Sequence, residues 1–279
     1  MRDRIKQMYK QLGLGLLNFV IVLALPFAAQ AVLRRRVPDL VGVTILAALV
    51  LAAYFAGSRW IEHRKPIEFD ASRAMPETAA GIALGIALFS IIMGLLGAFG
   101  AYHFTGRAAV TSLVSGFLVA LLVGIFEETI TRGFLFRLIQ LAGGTWIAIV
   151  ISSALFGAAH AFNPSATLTS SVAIALEAGV LLAAAFIVTG RLWLPIGIHA
   201  GWNFAEGPLF GMAVSGGHVK SSLLTGTLTG PVFLTGGGFG PEASVVAIVV
   251  CLAAGAIFLW RAARSGLLIR PPWNRPDVN

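Results

Sequence analysis

The chain has 279 residues, of which 57% are hydrophobic and 11% charged, and its formal net charge is +8. Soluble domains carry about 25% charged residues. A water-soluble globule with half that share could not cover its surface, so an integral membrane protein is the class left. Lys and Arg sit in short stretches between apolar runs. That pattern fits positive-inside orientation and anionic lipid headgroups, and nucleic acid is not an expected partner. A single cysteine, Cys251, excludes a disulfide framework or a cysteine-based metal site within one chain.

A spanning helix needs about 20 mostly apolar residues. Eight stretches qualify in chain order: 12–33, 40–57, 78–102, 108 to beyond Phe126, 144–162, 168–189, 192–214 and 243–260. The predicted fold is all-α, a polytopic membrane protein of about eight transmembrane helices around an intramembrane cavity. Within one membrane domain, residues 1–107 form a three-helix region and 108–213 a core. Residues 214–279 supply an extracytoplasmic loop, the last helix and a basic tail. The first stretch has a rival reading as a signal peptide, with a basic start (Arg2, Arg4, Lys6, Lys10), Pro26 and the small-residue triplet Ala29-Gln30-Ala31. Its apolar run exceeds the 7–15 residues of a signal core and favours a retained helix. Residues 215–242 are rich in Gly, Ser and Thr, include Gly236-Gly237-Gly238, and read as a long loop. No internal repeat of the transporter kind is visible.

With both termini cytoplasmic, fifteen of the 20 Lys and Arg residues fall on the inner side, including Arg132, Arg137 and Arg191. Five fall outside, and the Arg34–Arg36 run among them is discordant. The short tails and loops have a bacterial style, and the expected location is a bacterial plasma membrane.

Most acidic residues belong to loops or tails. Glu127, Glu128 and Glu177 lie in apolar stretches, with Glu206 at an edge, and so do His160 and His199. Ionisable groups at membrane depth are expensive and mark function by default. Glu128 and Arg132 are four apart and can pair on one helix face, leaving Glu127 without a partner from its own turn. Phe156 stands one turn before His160. His199 and Asn203 place two hydrogen-bonding groups on one face. Gly143-Gly144 reads as a hairpin, and Glu127 and His160 each lie 16 residues from it. Equal residue counts on two helical arms mean equal rise, at about 1.5 Å per residue, so both groups share one depth. Residues 133–140 could instead form an interfacial helix. A second turn near Gly190-Arg191 returns His199 about 12 Å into the membrane. Taken singly, each feature has a plainer reading: a wet helix end, a structural histidine, an interhelical tie, a packed Phe156, polar packing at Glu177 and Glu206. The argument rests on three spaced motifs in order.

Those motifs resemble the CAAX protease and bacteriocin-processing family of intramembrane endopeptidases, the type II CAAX prenyl endopeptidase group. The family's pattern is Glu-Glu-x-x-x-Arg, then Phe-x-x-x-His, then His-x-x-x-Asn or Asp. Glu127, Glu128 and Arg132, then Phe156 and His160, then His199 and Asn203 match it, as does the stretch from Thr189 to Ile196. The resemblance spans roughly residues 108–213 and makes that region the catalytic core. It implies peptide-bond hydrolysis, with membrane lipid around the protein and a peptide or membrane-protein substrate. Glu127 is the general base, His160 shares the water, and His199 and Asn203 donate to the oxyanion. Glu128 and Arg132 orient Glu127. The favoured route needs no cofactor. A zinc route would use Glu127, His160 and His199 as ligands, since two His and one Glu form a known catalytic set.

Other intramembrane proteases fit worse. Asp3, Asp39, Asp70 and Asp277 lie outside the apolar segments, against an aspartyl dyad, and no Gly-x-Ser-Gly sequence is present. A transporter or channel using the buried Glu and His groups as an ion or proton path, and an idle membrane scaffold, are the two non-protease readings.

Overall fold

The computed structural model describes residues 2–33, 39–108, 113–219 and 221–274. Arg34–Arg36, Lys220 and Arg275 from the charge count, and residues 109–112 of the fourth apolar stretch, lie outside them. Ten α-helices appear among the described residues: α1 (Arg2–Leu33), α2 (Asp39–Trp60), α3 (Ala74–Ala98), α4 (Leu113–Glu128), α5 (Arg137–Ala159), α6 (Leu168–Ile174), α7 (Val180–Thr189), α8 (Trp193–Phe204), α9 (Val232–Thr235) and α10 (Val245–Arg264). Three π-helical turns, Thr129–Phe136, Ala175–Gly179 and Ala205–Leu209, continue α4, α6 and α8.

The helix ends follow local chemistry. Thr167 and Ser170 form a capping box at α6, and the Ser244 hydroxyl accepts from Ala247 N–H at the start of α10. Arg261 and Arg264 occupy the last turn of α10, where cations oppose the helix dipole. Gly190, left-handed with φ 66°, ends α7.

Six helical units are long and apolar enough to cross a membrane: Lys6–Pro26, Leu40–Trp60, Ile67–Ala98, Leu113–Phe162, Leu168–Thr189 and Val245–Arg264. Each of the eight expected segments contains helix among the described residues, and two facts separate eight from six. The fourth and fifth form one 50-residue helical run, with Gly144 the only break (φ 80°, ψ 178°). The seventh, α8 with its π-turn, is short. Residues 133–140 continue the helix through a π-turn rather than forming a separate interfacial helix. Two further differences concern β structure. The third segment ends at Ala98, and Tyr102–Arg107 instead forms strand β1. It pairs antiparallel with β2, Leu224–Leu228, inside the expected long loop, from Tyr102 opposite Leu228 to Arg107 opposite Leu224, with an irregularity between Phe104 and Gly106.

Apolar side chains such as Leu16, Val114, Val150, Val249 and Ile257 are exposed on outward helix faces, the reverse of a soluble fold. Inside, one apolar cluster joins α3, α7, α8 and α10 around Phe89, Leu96, Leu182, Trp202 and Cys251. A second joins α1, α2, α5 and α7 around Val22, Tyr54, Phe134 and Phe186. At one end, Glu62 accepts from Asn18 (2.7 Å) and pairs with Arg137 (2.6 Å) and Arg64 (2.9 Å). Glu68 there takes Arg64 and the Tyr54 hydroxyl. This network fastens α1 and α2 to α5.

Backbone contact seats α8. Apolar burial between helices gives little drive inside lipid, so small residues that let backbones touch do the work. Gly81 and Gly85 of α3 face Gly197 and Gly201 of α8. A Cβ at Gly81 would fall 2.8 Å from Gly197 Cα, at Gly85 2.2 Å from Ile198 O, and at Gly201 2.3 Å from Ile82 O.

Two outcomes follow. Gly85→Leu or Gly201→Leu should lower thermal stability in detergent by at least the 1–3 kcal/mol of ordinary overpacking, about; an unchanged melting temperature would contradict the close α3–α8 approach. Burial alone would raise the Glu62 carboxyl, but Arg137, Asn18 and Arg64 outweigh it and hold the group below its ordinary 4.5. A lowered carboxylate stabilises the fold above its unfolded value and ceases to as pH falls through its folded value. The stability gap between wild type and Glu62→Gln should therefore be full at about pH 6 and close below about pH 4, measured by thermal melting; a gap that widens on acidification refutes the network.

Candidate active site

A straight helix would hold Glu127 and His160 about 50 Å apart, from 33 rises. Instead Glu127 Oε2 lies 3.9 Å from His160 Nε2, because the chain reverses at Gly144. The break at Gly144 and the meeting of the two side chains agree with the turn expected at Gly143-Gly144. The turn before α8 brings in the third group: His199 Nε2 is also 3.9 Å from Glu127 Oε2.

Each imidazole is fixed from behind. His160 Nδ1 lies 2.8 Å from the Phe156 carbonyl one turn earlier. A carbonyl only accepts, so Nδ1 donates and Nε2 of the neutral ring carries a lone pair. His199 Nδ1 lies 2.9 Å from Glu128 Oε1. The same oxygen accepts from Arg132 Nη1 at 2.9 Å, so Glu128 acts as an ionised acceptor and His199 Nδ1 as a donor. Both Nε2 atoms thus turn toward Glu127 Oε2, which is buried and has no hydrogen-bond partner. Glu127 Oε2 and His160 Nε2 are two acceptors that converge on one point, beside His199 Nε2. Such a point calls for hydrogens or a cation to occupy it.

The Glu128–Arg132 pair forms as its spacing predicts, but in a different setting. Arg132, counted among inner-side charges, is 1% exposed and Glu128 is 0% exposed. The pair is therefore not a wet helix end. Arg132 Nη2 donates to Ala178 O (3.1 Å) and Gly179 O (3.0 Å), inside the π-turn between α6 and α7. Its guanidinium stacks 4.7 Å from the Phe156 ring centroid. Phe156 in turn meets the His160 ring at 4.6 Å and the His199 ring at 6.4 Å. It is packed, and it positions three functional groups at once.

Asn203 lines the same cavity as Phe156, His160 and His199. So do Glu177, Ser215 and Glu242. Glu177 and Glu206 were legible as ionisable groups at membrane depth; Glu242 was not. It falls in the expected loop, and the turn Pro241–Ala243 carries it inward until it is 2% exposed. A proline followed by an apolar helix gives no signal that the acid before it will be buried.

For a metal, the donor types fit: one carboxylate and two imidazoles whose outer nitrogens are tethered as ligand histidines usually are. The spacing is wider than such a set. Ligands about 2.0–2.1 Å from a tetrahedral zinc lie about 3.3 Å apart, against 3.9 Å for both pairs here. Among the described residues no group of three His, Cys, Asp or Glu side chains is placed to hold a metal ion.

This is a polytopic membrane protein whose buried Glu and His side chains meet within its helices. Residues 109–205, the region holding all three motifs, match the family model described as type II CAAX prenyl endopeptidase Rce1-like. No curated protein and no solved structure gives a match.

Breaking a buried ion pair by removing one partner costs about 3–5 kcal/mol, because the other charge stays unpaired. Arg132→Met should destabilise the protein on that scale, and Arg132→Met with Glu128→Met should recover part of the loss. Melting curves in detergent test this. A double variant whose loss equals the sum of the two single-variant losses would show that the two side chains act independently.

Proposed function

We propose that the protein is an intramembrane endopeptidase that activates water between Glu127 and His160. The observation carrying this reading is the partnerless Glu127 Oε2, 3.9 Å from each imidazole Nε2. A water seated there donates one hydrogen to Glu127 and one to His160, and its oxygen lone pair turns to the scissile carbonyl carbon. As the C–O bond forms, Glu127 takes the proton, and the carbonyl oxygen becomes an oxyanion. The Asn203 amide and a doubly protonated His199 donate to that oxyanion. The amide nitrogen then receives the proton by way of Glu127 and His160, and the C–N bond breaks. Glu128 and Arg132 act through others: they hold the orientation of the His199 ring and the helix that carries Glu127. The apolar surroundings keep bulk water from screening these interactions.

The tethered Nδ1 atoms of both histidines also favour a second reading, in which Glu127, His160 and His199 hold zinc. Bound there, the metal would supply Lewis-acid activation of water. The wider spacing makes the metal-free route the better fit. A transporter or an idle scaffold gives no reason for a tethered imidazole pair around one free carboxylate oxygen. The membrane is the proposed site of action, with the basic network at Arg64 and Arg137 on the cytoplasmic side and both termini there.

The test is purified protein in detergent with a panel of transmembrane and lipidated peptides, the products being mapped by mass spectrometry. Glu127→Gln should reduce cleavage by at least about 100-fold, the lower range for loss of a general base, with little change in melting temperature. Cleavage that survives Glu127→Gln sinks the proposal. Cleavage abolished by a chelator and restored by zinc moves the chemistry to the metal route.

A further inference from the structure

The region around the cavity holds more carboxyl groups than its chemistry uses. Glu127 faces the two imidazoles, and Glu128 is held by Arg132. Three further carboxyls come from three separate elements: Glu177 in the π-turn after α6, Glu206 in the π-turn after α8, and Glu242 in the turn before α10. They are 2%, 0% and 2% exposed. Among the described residues none of the three forms a salt bridge. Glu206 and Glu242 lie against one another, with Trp202 beside Glu206 and Ser215 beside Glu242; both Glu206 oxygens and Glu242 Oε1 are buried and lack a hydrogen bond of good geometry. Arg132 Nη1 is taken by Glu128 and Nη2 by the Ala178 and Gly179 carbonyls, so neither is bonded to these three acids.

Buried acceptors without donors are costly, and a positive group with several N–H donors relieves that cost. The cavity wall combines apolar and acidic groups, as a charged head on an alkyl stem requires. Ile174, Leu181, Leu182 and Trp202 provide apolar wall, and Glu177 and Glu242 face the same space. Methylene stems pack on apolar surface while the charged head meets the acids. Glu242 and His160 line the same cavity, so a cation held there sits beside the reacting groups.

We infer that Glu177 and Glu242, backed by Glu206, form a cation subsite that takes a primary ammonium or guanidinium borne by the peptide substrate. Resting on the endopeptidase reading above, this makes the enzyme select a lysine, an arginine or a free N-terminus next to the scissile bond.

Binding and cleavage test it separately. In the Glu127→Gln protein in detergent, n-butylammonium and n-butylguanidinium are titrated at constant ionic strength, with n-butanol and sodium chloride as controls. Thermal melting should show a saturable stabilisation by the two organic cations and by neither control, and Glu242→Gln should weaken it at least about tenfold, as loss of one member of a buried charge pair does. In wild type, peptides that differ only in lysine against norleucine beside the cleaved bond should differ at least about tenfold in kcat/KM, a preference lost in Glu242→Gln. Organic cations that stabilise no better than sodium chloride or butanol overturn the subsite, as does stabilisation that survives both Glu242→Gln and Glu177→Gln. The wild-type comparison of probes stands even if a variant misfolds. Specific cation binding without cleavage of any peptide leaves the subsite and removes the endopeptidase; cleavage indifferent to charge does the reverse.

Discussion

The arrangement depends on one buried ion pair. Glu128 and Arg132 lie a single helical turn apart, almost wholly withdrawn from solvent. Their mutual attraction does not by itself repay the loss of hydration. The remaining valences make the difference. Glu128 Oε1 also accepts from His199 of α8, and Arg132 reaches two backbone carbonyls beyond α6 and lies over Phe156 of α5. One pair therefore ties four helical elements together, and each tie bears on the orientation of an imidazole or of Glu127.

The π-turns explain how such a cluster is accommodated inside helices. Widening a turn frees a backbone carbonyl from its usual partner, and such turns recur at functional sites. Here Thr129–Phe136 follows Glu127 and Glu128 directly, Ala175–Gly179 contains Glu177, and Ala205–Leu209 contains Glu206. In the second, Ala178 and Gly179 supply the carbonyls that Arg132 uses. The helix irregularity and the buried charge are two sides of one solution: the backbone provides acceptors where no side chain is available.

Precision comes from glycine. The α3–α8 contact brings backbone against backbone, so α8 has little freedom to slide, and with it His199 and Asn203 are fixed in depth. Gly124 of α4 adds a third close approach, where a Cβ would fall 3.2 Å from Ile196 O. Glu127, on the same helix one turn later, and His199 thus share a rigid reference.

Composition alone fixed the membrane class, because so little charge cannot wet a globule. The ordered motifs marked Glu127, Glu128, Arg132, Phe156, His160, His199 and Asn203, since ionisable groups and their i, i+4 partners stand out against apolar helix. Equal spacing about Gly143-Gly144 gave an equal rise for Glu127 and His160, because helical rise is a constant, and the fold then brought them to 3.9 Å. Tertiary structure settled what spacing cannot encode. It buried Arg132 rather than leaving it at the inner surface. It folded the supposed loop into β2 and the inward turn of Glu242, and it merged two expected spans into one broken run. Those outcomes depend on which distant backbones and side chains come within a few ångströms, and no local periodicity carries that information.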